Sequence, residues 1–203
     1  MLSDVPPGSK VLEIGAGMGE NTECLLEGGS TVCATDISSN SVRLMEKRFG
    51  TFEEFSARVA DMEALPFPDG SFDVICCAGA LSNGDNCIVR NEIYRVLKPG
   101  GSFIALDSLN HNPIYKLNRY IHFLRGHRSK STLQRMPTQH LIDSYTSQFG
   151  SSQVKYFGSL IWISALLKWI LSGETISILL NHADNLVNVK KSAFKFTIKG
   201  VKS

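Results

Sequence analysis

Three glycines at alternating positions follow a short apolar run near the start of the chain. The stretch VLEIGAGMGE holds Gly15, Gly17 and Gly19 directly after an apolar segment. Glycine tolerates positive φ and lets the backbone approach a partner closely, so the pattern is typical of a turn between a buried strand and a helix. We predict a strand over Lys10–Ile14 and a helix that begins near Asn21. A strand, a glycine turn and a helix in this order favour a fold built from parallel crossover units.

The rest of the chain continues this alternation of apolar runs and helical patterns. Val42, Met45 and Phe49 share one helical face, for example, behind a cap at Ser38 or Ser39. We therefore predict an α/β fold that is Rossmann-like and doubly wound, with a mainly parallel seven-stranded sheet and an antiparallel C-terminal strand pair. The predicted strands are Lys10–Ile14, Thr31–Thr35, Phe55–Ala60, Phe72–Cys77, Ser102–Leu106, Val154–Phe157 and Phe194–Ile198.

Length and composition indicate one domain over residues 1–203. The chain has 43% hydrophobic and 20% charged residues, which is ordinary for a globular protein. Its five cysteines include no CxxC pair, and Cys76 and Cys77 lie in an apolar run, where cysteine acts as a small buried hydrophobe. The first ten residues lack an apolar core. We expect a reduced, cytoplasmic protein without a signal peptide, a disulfide framework or a metal site.

The sequence of the glycine loop restricts the class of ligand that the loop can bind. No GK[ST] follows the glycines, which excludes a Walker loop. A dinucleotide fingerprint needs GxGxxG, but Gly19 comes one residue early and Glu20 takes the sixth position, where its charge would oppose a pyrophosphate. Glu13, two residues before the first glycine, suits a ligand with a positive centre or an amino group.

The run from Glu13 to Gly19 resembles the first motif, ExGxGxG, of the class I S-adenosylmethionine-dependent methyltransferases. The resemblance continues in order to Leu106: an acid ends the second strand at Asp36, Asp61-Met62 precedes a proline turn, and LPFPDGSFDVI and EIYRVLKPGG are similar to the family's later segments. It implies S-adenosyl-L-methionine as cofactor, with residues 1–107 as the cofactor-binding half. The contacts that it implies are Glu13, Gly15, Ala16, Gly17, Gly19, Asp36, Ile37, Asp61, Met62, and Cys77 or Ala78 after the fourth strand.

The resemblance also implies the chemistry, an in-line displacement at the sulfonium methyl by a substrate O, N, C or S atom. Alignment of the reactants supplies much of the rate, so a general base is optional. Many relatives have histidines after the fourth strand, but this chain reads ALSNGDN there. His111, just past the fifth strand, is the candidate catalytic base, because strand carboxyl ends line the crevice in such folds.

The second half, residues 108–203, is the expected substrate side, and it is basic. It carries 13 Lys and Arg against 3 Asp and Glu, whereas residues 1–107 carry 8 against 16. Asn112-Pro113 predicts a helix start, after which an apolar stripe and off-stripe basic residues indicate an amphipathic, basic helix. This segment is either a lid that presents positive charge to an anionic substrate or a solvated helix over the sheet. The stripe is Ile114, Leu117, Ile121 and Leu124; Lys116 and Arg119 lie off it.

The acceptor and the partners are the least constrained part of the prediction. LIWISALLKWIL, residues 160–171, is too short to span a bilayer, so it indicates a buried helix or an interfacial one that uses Trp162 and Trp169. Few aromatics interleave with the basic residues, which makes nucleic acid a poor partner. We predict methyl transfer to a small or lipid-linked acceptor of anionic character, with peripheral membrane contact and oligomeric state left open. The alternatives are a non-catalytic S-adenosylmethionine-binding module and an NAD-dependent enzyme.

Overall fold

A computed structural model describes residues 5–126, 130–159, 172–173, 175–176, 178–180 and 193–203. Its seven-stranded sheet has the order β3-β2-β1-β4-β5-β7-β6. Strands β1 to β5 are parallel, and β7 runs antiparallel between β5 and β6. The strands are β1 (Lys10–Ile14), β2 (Thr31–Asp36), β3 (Phe55–Val59), β4 (Phe72–Ala78), β5 (Leu97–Ser108), β6 (Ser151–Phe157) and β7 (Lys195–Val201). The predicted fold class is confirmed.

In the described residues, helices connect β1 to β2, β2 to β3, β4 to β5 and β5 to β6, and they pack on the sheet. They are α1 (Glu20–Glu27), α2 (Ser39–Phe49), α3 (Asn86–Val96), α4 (Pro113–Leu124), α5 (Lys130–Gln134) and α6 (Gln139–Gln148), with a short 3-10 turn at Leu81–Asn83. Both capping predictions are confirmed. The Ser38 hydroxyl accepts the Ser41 N–H at the start of α2, and the Asn112 side chain accepts the Ile114 N–H at the start of α4.

The core lies on both faces of the sheet, because β1 and β4 are buried on both sides. Cys76 packs with the group around Leu25 on α1, whereas Cys77 packs with the group that contains Ile93 of α3 and Tyr145 of α6. The two neighbouring cysteines therefore point to opposite faces, as strand alternation requires. Their predicted role as small buried hydrophobes is confirmed, since both are at most 3% exposed.

Strand β5 begins earlier than we predicted from the sequence. The KPGG run was expected to separate the helix from a strand starting at Ser102. Instead, α3 ends at Val96 and β5 begins at once with Leu97, so the turn residues lie within the strand. A register irregularity against β4 accommodates them: Phe72 pairs with Leu97, but Val74 pairs with Ser102. The extra residues of β5 loop out between these two pairs, and the ladder resumes at Ser102.

Helix α4 has the opposite orientation to the one that its sequence pattern suggests. The expected solvated cation Arg119 is 4% exposed, and Tyr115 is also buried. The apolar stripe faces outward instead, with Leu117 61% and Leu124 66% exposed. The interpretation of α4 as a helix with solvated basic residues off a core-facing stripe is therefore wrong for Arg119. The cause is tertiary, since Arg119 donates to the Leu109 carbonyl oxygen at 3.0 Å and lies over the Phe194 ring.

The most apolar window of the sequence, residues 160–171 with Trp162 and Trp169, lies outside the described residues. Within the ranges that the structure does describe, no helix combines the length and the hydropathy needed to cross a bilayer.

Candidate functional site

The glycine loop lies at the carboxyl edge of the sheet, between β1 and α1. Gly15, Gly17 and Gly19 all have positive φ, at 65°, 60° and 82°. A Cβ on Gly15 would lie 2.5 Å from the Ala80 Cβ, and one on Gly19 would lie 2.5 Å from the Phe49 ring. Around a Cβ on Gly17, by contrast, no atom of the described residues comes within 4 Å. The outer two glycines therefore permit close packing, and the middle one faces open space.

Asp36 ties this loop to the end of β2. Its Oδ2 accepts the Gly17 N–H at 2.9 Å, and its Oδ1 accepts the Ser38 N–H at 2.9 Å. The loop is fixed further by the Ala16 N–H, which donates to the Thr35 carbonyl oxygen at 3.0 Å. Ile37, next in the chain, is 72% exposed. A carboxylate and an exposed apolar side chain thus stand side by side next to the open face of the loop.

Glu13 lies beneath the loop rather than in the open crevice. It is 2% exposed, and its Oε2 accepts the Thr22 hydroxyl at 2.5 Å. Burial raises the pKa of Glu13 from its ordinary 4.5 to about 7, and the hydrogen bond from Thr22 opposes part of that rise. A buried carboxyl of this kind gains its charge most readily when a cation lies nearby. This suits the predicted positive ligand, and the contact itself stays a prediction.

The segment after β3 meets the loop after β4. A Cβ on Gly84 would lie 3.1 Å from the Met62 sulfur, so these residues are in close contact. Glu63 Oε1 accepts the Asp85 N–H at 2.7 Å, and Asp61 Oδ1 accepts the Glu63 N–H at 2.9 Å. The segment that holds the predicted adenine-side pair, Asp61 and Met62, therefore packs against the loop after β4.

Asp107 is a structural element of the site that the sequence reasoning missed. It lies in β5, is 5% exposed, and accepts the Leu81 N–H at 3.0 Å through Oδ2. Its Oδ1 accepts the Ser108 N–H at 2.6 Å. Burial raises the pKa of Asp107, and these two backbone donors oppose part of the rise. The side chain holds the turn after β4 against the end of β5; its only sequence signal is an acid near the end of an apolar strand.

The remaining predicted residues occupy different environments. Cys77 and Ala78 belong to β4 itself rather than to the segment after it. Cys77 is 2% exposed, and burial raises the pKa of its thiol, so the side chain belongs to the core. Ala78 is half-buried at the end of the strand. His111 is half-buried in the connection between β5 and α4.

Arg135 brings the basic second half of the chain into contact with the loop after β4. Its guanidinium donates to the Asn83 carbonyl oxygen at 3.2 Å and lies 4.0 Å from Glu63 Oε1. The next residues, Met136 and Pro137, are buried, and the Pro137 carbonyl oxygen accepts the Asn110 N–H at 2.8 Å. Part of the second half of the chain, residues 108–203, therefore packs directly on the loop after β4.

Together these features define a class: a Rossmann-like α/β protein whose glycine loop and Asp36 lie at the carboxyl ends of β1 and β2, the end of the sheet where such folds bind their ligands. A family model described as a methyltransferase domain matches residues 12–105. The ubiquinone/menaquinone biosynthesis C-methyltransferase of Paraburkholderia xenovorans (strain LB400) is 30% identical over 186 residues, which are 81% of this chain and 76% of that protein. The chain belongs to the class I S-adenosylmethionine-dependent methyltransferase family.

Several other relatives match about half of the chain. The demethylmenaquinone methyltransferase of Tropheryma whipplei (strain Twist) is 35% identical over 104 residues, which are 51% of this chain and 43% of that protein. The matched part thus spans less than half the length of that relative. Among solved structures, geranyl diphosphate C-methyltransferase from Streptomyces coelicolor A3(2) superposes with a TM-score of 0.69 at 15% identity, covering 100% of this chain and 75% of that one. This likeness supports the fold alone.

Proposed function

We propose that this chain is a methyltransferase that uses S-adenosylmethionine to methylate a small, quinone-type, lipid-linked acceptor. The observation that carries the proposal is the open face of the glycine loop at Gly17, where it meets the Asp36 carboxylate. This point lies at the carboxyl end of β1, beside the place where the strand order reverses between β1 and β4 and where such sheets bind their ligands. The relative from Paraburkholderia supports a quinone as acceptor. Residues 1–107 would hold the cofactor and residues 108–203 the acceptor.

The Asp36 carboxylate suits a ribose. Each carboxylate oxygen can accept about two hydrogen bonds, and here each already accepts one backbone N–H. One further site per oxygen remains for the two ribose hydroxyls. The backbone bonds hold the carboxylate in place before the ligand arrives, which lowers the entropy cost of binding.

Exposed apolar side chains suit the adenine ring. Met18 is 57% and Ile37 is 72% exposed, although most large apolar residues of this half are buried. A planar base packed on them would remove this apolar surface from water. Asp61 would accept from the exocyclic amine, as the resemblance implies, and Met62 would supply a further apolar contact.

Methyl transfer would mainly require the acceptor atom, the methyl group and the cofactor sulfur to be held in line. The bound cofactor supplies an electrophilic methyl group on a cationic sulfur. The loops after β1 and β4 would fix the acceptor in line with that methyl and exclude water, and such positioning accounts for much of the rate in reactions of this type. When a ring carbon is methylated, a C–C bond forms, the S–C bond breaks and the ring carbon loses a proton. His111 is the residue that we propose to take that proton.

Asp36→Ala should weaken S-adenosylmethionine binding by about 1–3 kcal/mol, because buried ribose hydroxyls would lose their acceptor. Calorimetric titration of the purified protein measures the change. The matched control is Glu53→Ala, which removes an exposed carboxylate just before β3, at the opposite edge of the sheet. Unchanged affinity in Asp36→Ala would show that Asp36 does not hold the ribose.

Methyl transfer is tested with S-adenosylmethionine labelled in its methyl group. The protein is incubated with an extract of its source cells, and label is counted in organic-solvent, aqueous and precipitated fractions. Label in the organic fraction is the expected result for a lipid-linked quinone. Label confined to the aqueous fraction would overturn the lipid-linked acceptor. Intact cofactor binding without label in any fraction would favour a non-catalytic binding module, and preferential NAD binding would overturn the cofactor.

A further inference from the structure

Helix α4 carries an apolar stripe whose side chains face outward in the described part of the chain. Ile114, Leu117, Tyr120, Ile121 and Leu124 are 47%, 61%, 53%, 38% and 66% exposed. With helical spacing, these side chains fall within an arc of about 120°. A surface helix normally turns such an arc toward the core. An apolar arc turned to solvent marks a surface that binds something else.

The orientation of α4 is fixed by polar contacts on its inner side. Arg119 donates to the Leu109 carbonyl oxygen at 3.0 Å, and the Tyr115 hydroxyl donates to the Gly158 carbonyl oxygen at 3.1 Å. The Tyr115 ring lies 4.6 Å from the Phe194 ring, centroid to centroid. Rotating the apolar stripe inward would break these contacts and carry the guanidinium out of its buried position. The outward stripe is therefore a consequence of how the helix is anchored.

Positive charges flank the stripe on both sides. With helical spacing, Lys116 lies beside one edge of the apolar arc and Arg125, which follows the last turn, lies beside the other; both are exposed. Lys130, at the start of α5, is also exposed. No Asp or Glu occurs between Asp107 and Asp143 to neutralise them. An apolar arc bordered by cations is the pattern of a helix that lies in the interface of an anionic bilayer.

We propose that the exposed face of α4 docks this protein on an anionic membrane surface. The apolar side chains enter the interface, and Lys116 and Arg125 pair with lipid headgroups. A second copy of this chain fits less well, since a two-fold contact through this face would bring the same cations together. The proposal deepens the proposed function and rests on it for its purpose: α4 begins shortly after the carboxyl end of β5, so docking would bring the proposed site close to a lipid-borne quinone.

The test is sedimentation of the purified protein with vesicles of phosphatidylcholine, alone or mixed with phosphatidylglycerol. We expect binding to the anionic vesicles that weakens at high salt. Leu117→Gln/Leu124→Gln should lower the partition coefficient by about tenfold or more, because the apolar insertion is lost. Lys116→Glu/Arg125→Glu should abolish the preference for phosphatidylglycerol. The matched control is Leu44→Gln/Ile88→Gln, which alters two exposed apolar residues on α2 and α3 and should bind as the wild type does.

Three results would overturn the proposal. They are no binding of the wild type to anionic vesicles, equal binding by Leu117→Gln/Leu124→Gln, and a dimer in light scattering that this variant converts to a monomer. Cofactor binding in calorimetry without vesicles tests folding of each variant. Methyl transfer to a water-soluble quinol, also without vesicles, tests the proposed function separately. Vesicle binding without any methyl transfer would leave the docking face standing and reject the function.

Discussion

Gly15→Ala is expected to lower the free energy of unfolding by about 2–5 kcal/mol, because a left-handed conformation and an overpacked contact act together. The backbone at Gly15 has φ of 65°, which costs a residue with a Cβ about 1–2 kcal/mol. The new Cβ would also lie 2.5 Å from the buried Ala80 Cβ. Relief requires the glycine loop to move away from the loop after β4, which would also open the proposed cofactor site. Urea unfolding measures the stability, and calorimetry measures the accompanying loss of cofactor affinity.

Two variants separate the steric and the conformational contributions to the stability that Gly15→Ala loses. Gly17→Ala has nearly the same strain, since its φ is 60°, but its Cβ meets open space, so it should lose only about 1–2 kcal/mol of stability. Ala80→Gly in the Gly15→Ala background removes the clash between the two Cβ atoms. The double variant should therefore recover the part of the lost stability that this clash causes. Equal losses in Gly15→Ala and Gly17→Ala, with no recovery in the double variant, would contradict the packing role of Gly15.

The central strands were predictable because their signals are local. Strand β1 matches its predicted range, Lys10–Ile14, and β2 ends within a residue of its predicted boundary. Both are short runs that are buried in the sheet and end in a glycine turn or an acid, so chain pattern and burial agree. The parallel order then brings the glycine loop and Asp36 to the same edge. That part of the candidate site follows from the fold class alone, and the hydrogen bond between Gly17 and Asp36 agrees with it.

The orientation of α4 was not predictable from its own residues. Helical spacing identifies an apolar stripe, but it does not say whether the stripe faces the core or solvent. Contacts with Leu109, Gly158 and Phe194 set the orientation, and the last two lie far from α4 in the sequence. Arg119 donates to the Leu109 carbonyl oxygen and the Tyr115 hydroxyl donates to the Gly158 carbonyl oxygen. Both side chains also contact the Phe194 ring. Buried arginine is rare enough that a sequence argument places it outside by default. Tertiary contacts overrode the local pattern here.

Asp107 was missed for a similar reason. An acid near the end of a strand has no distinctive neighbour in the sequence, and its partner, the Leu81 N–H, lies 26 positions away. The early start of β5 was missed because KPGG is a turn sequence, and only the pairs with β4 on both sides of this turn show that the strand spans it. These features depend on contacts between distant segments, which periodicity and turn chemistry do not report.

Between pH 5 and pH 8, the free energy of unfolding of ligand-free Glu13→Gln should rise by about 2–3 kcal/mol relative to that of the wild type. The pKa of Glu13 is about 7 in the folded state and near its ordinary 4.5 in the unfolded chain. A carboxyl with a raised folded-state pKa contributes stability that is fully present below pH 4.5 and is lost as pH rises through 7. Glutamine does not titrate, so the variant escapes this loss. Urea unfolding of both proteins at pH 5 and pH 8 measures it.

The control for Glu13 is Glu27→Gln, which changes an exposed carboxylate on α1. Its stability relative to the wild type should be the same at both pH values, and a similarly flat difference for Glu13→Gln would contradict the raised pKa.

The protonation of Glu13 should also affect binding of the proposed cofactor. A bound sulfonium and ammonium favour the ionised carboxylate, so wild-type affinity for S-adenosylmethionine should rise about tenfold between pH 6 and pH 8. Glu13→Gln should show no such rise. Buried charge would then be disfavoured in the empty protein and favoured in the loaded one, which couples cofactor binding to stability at neutral pH.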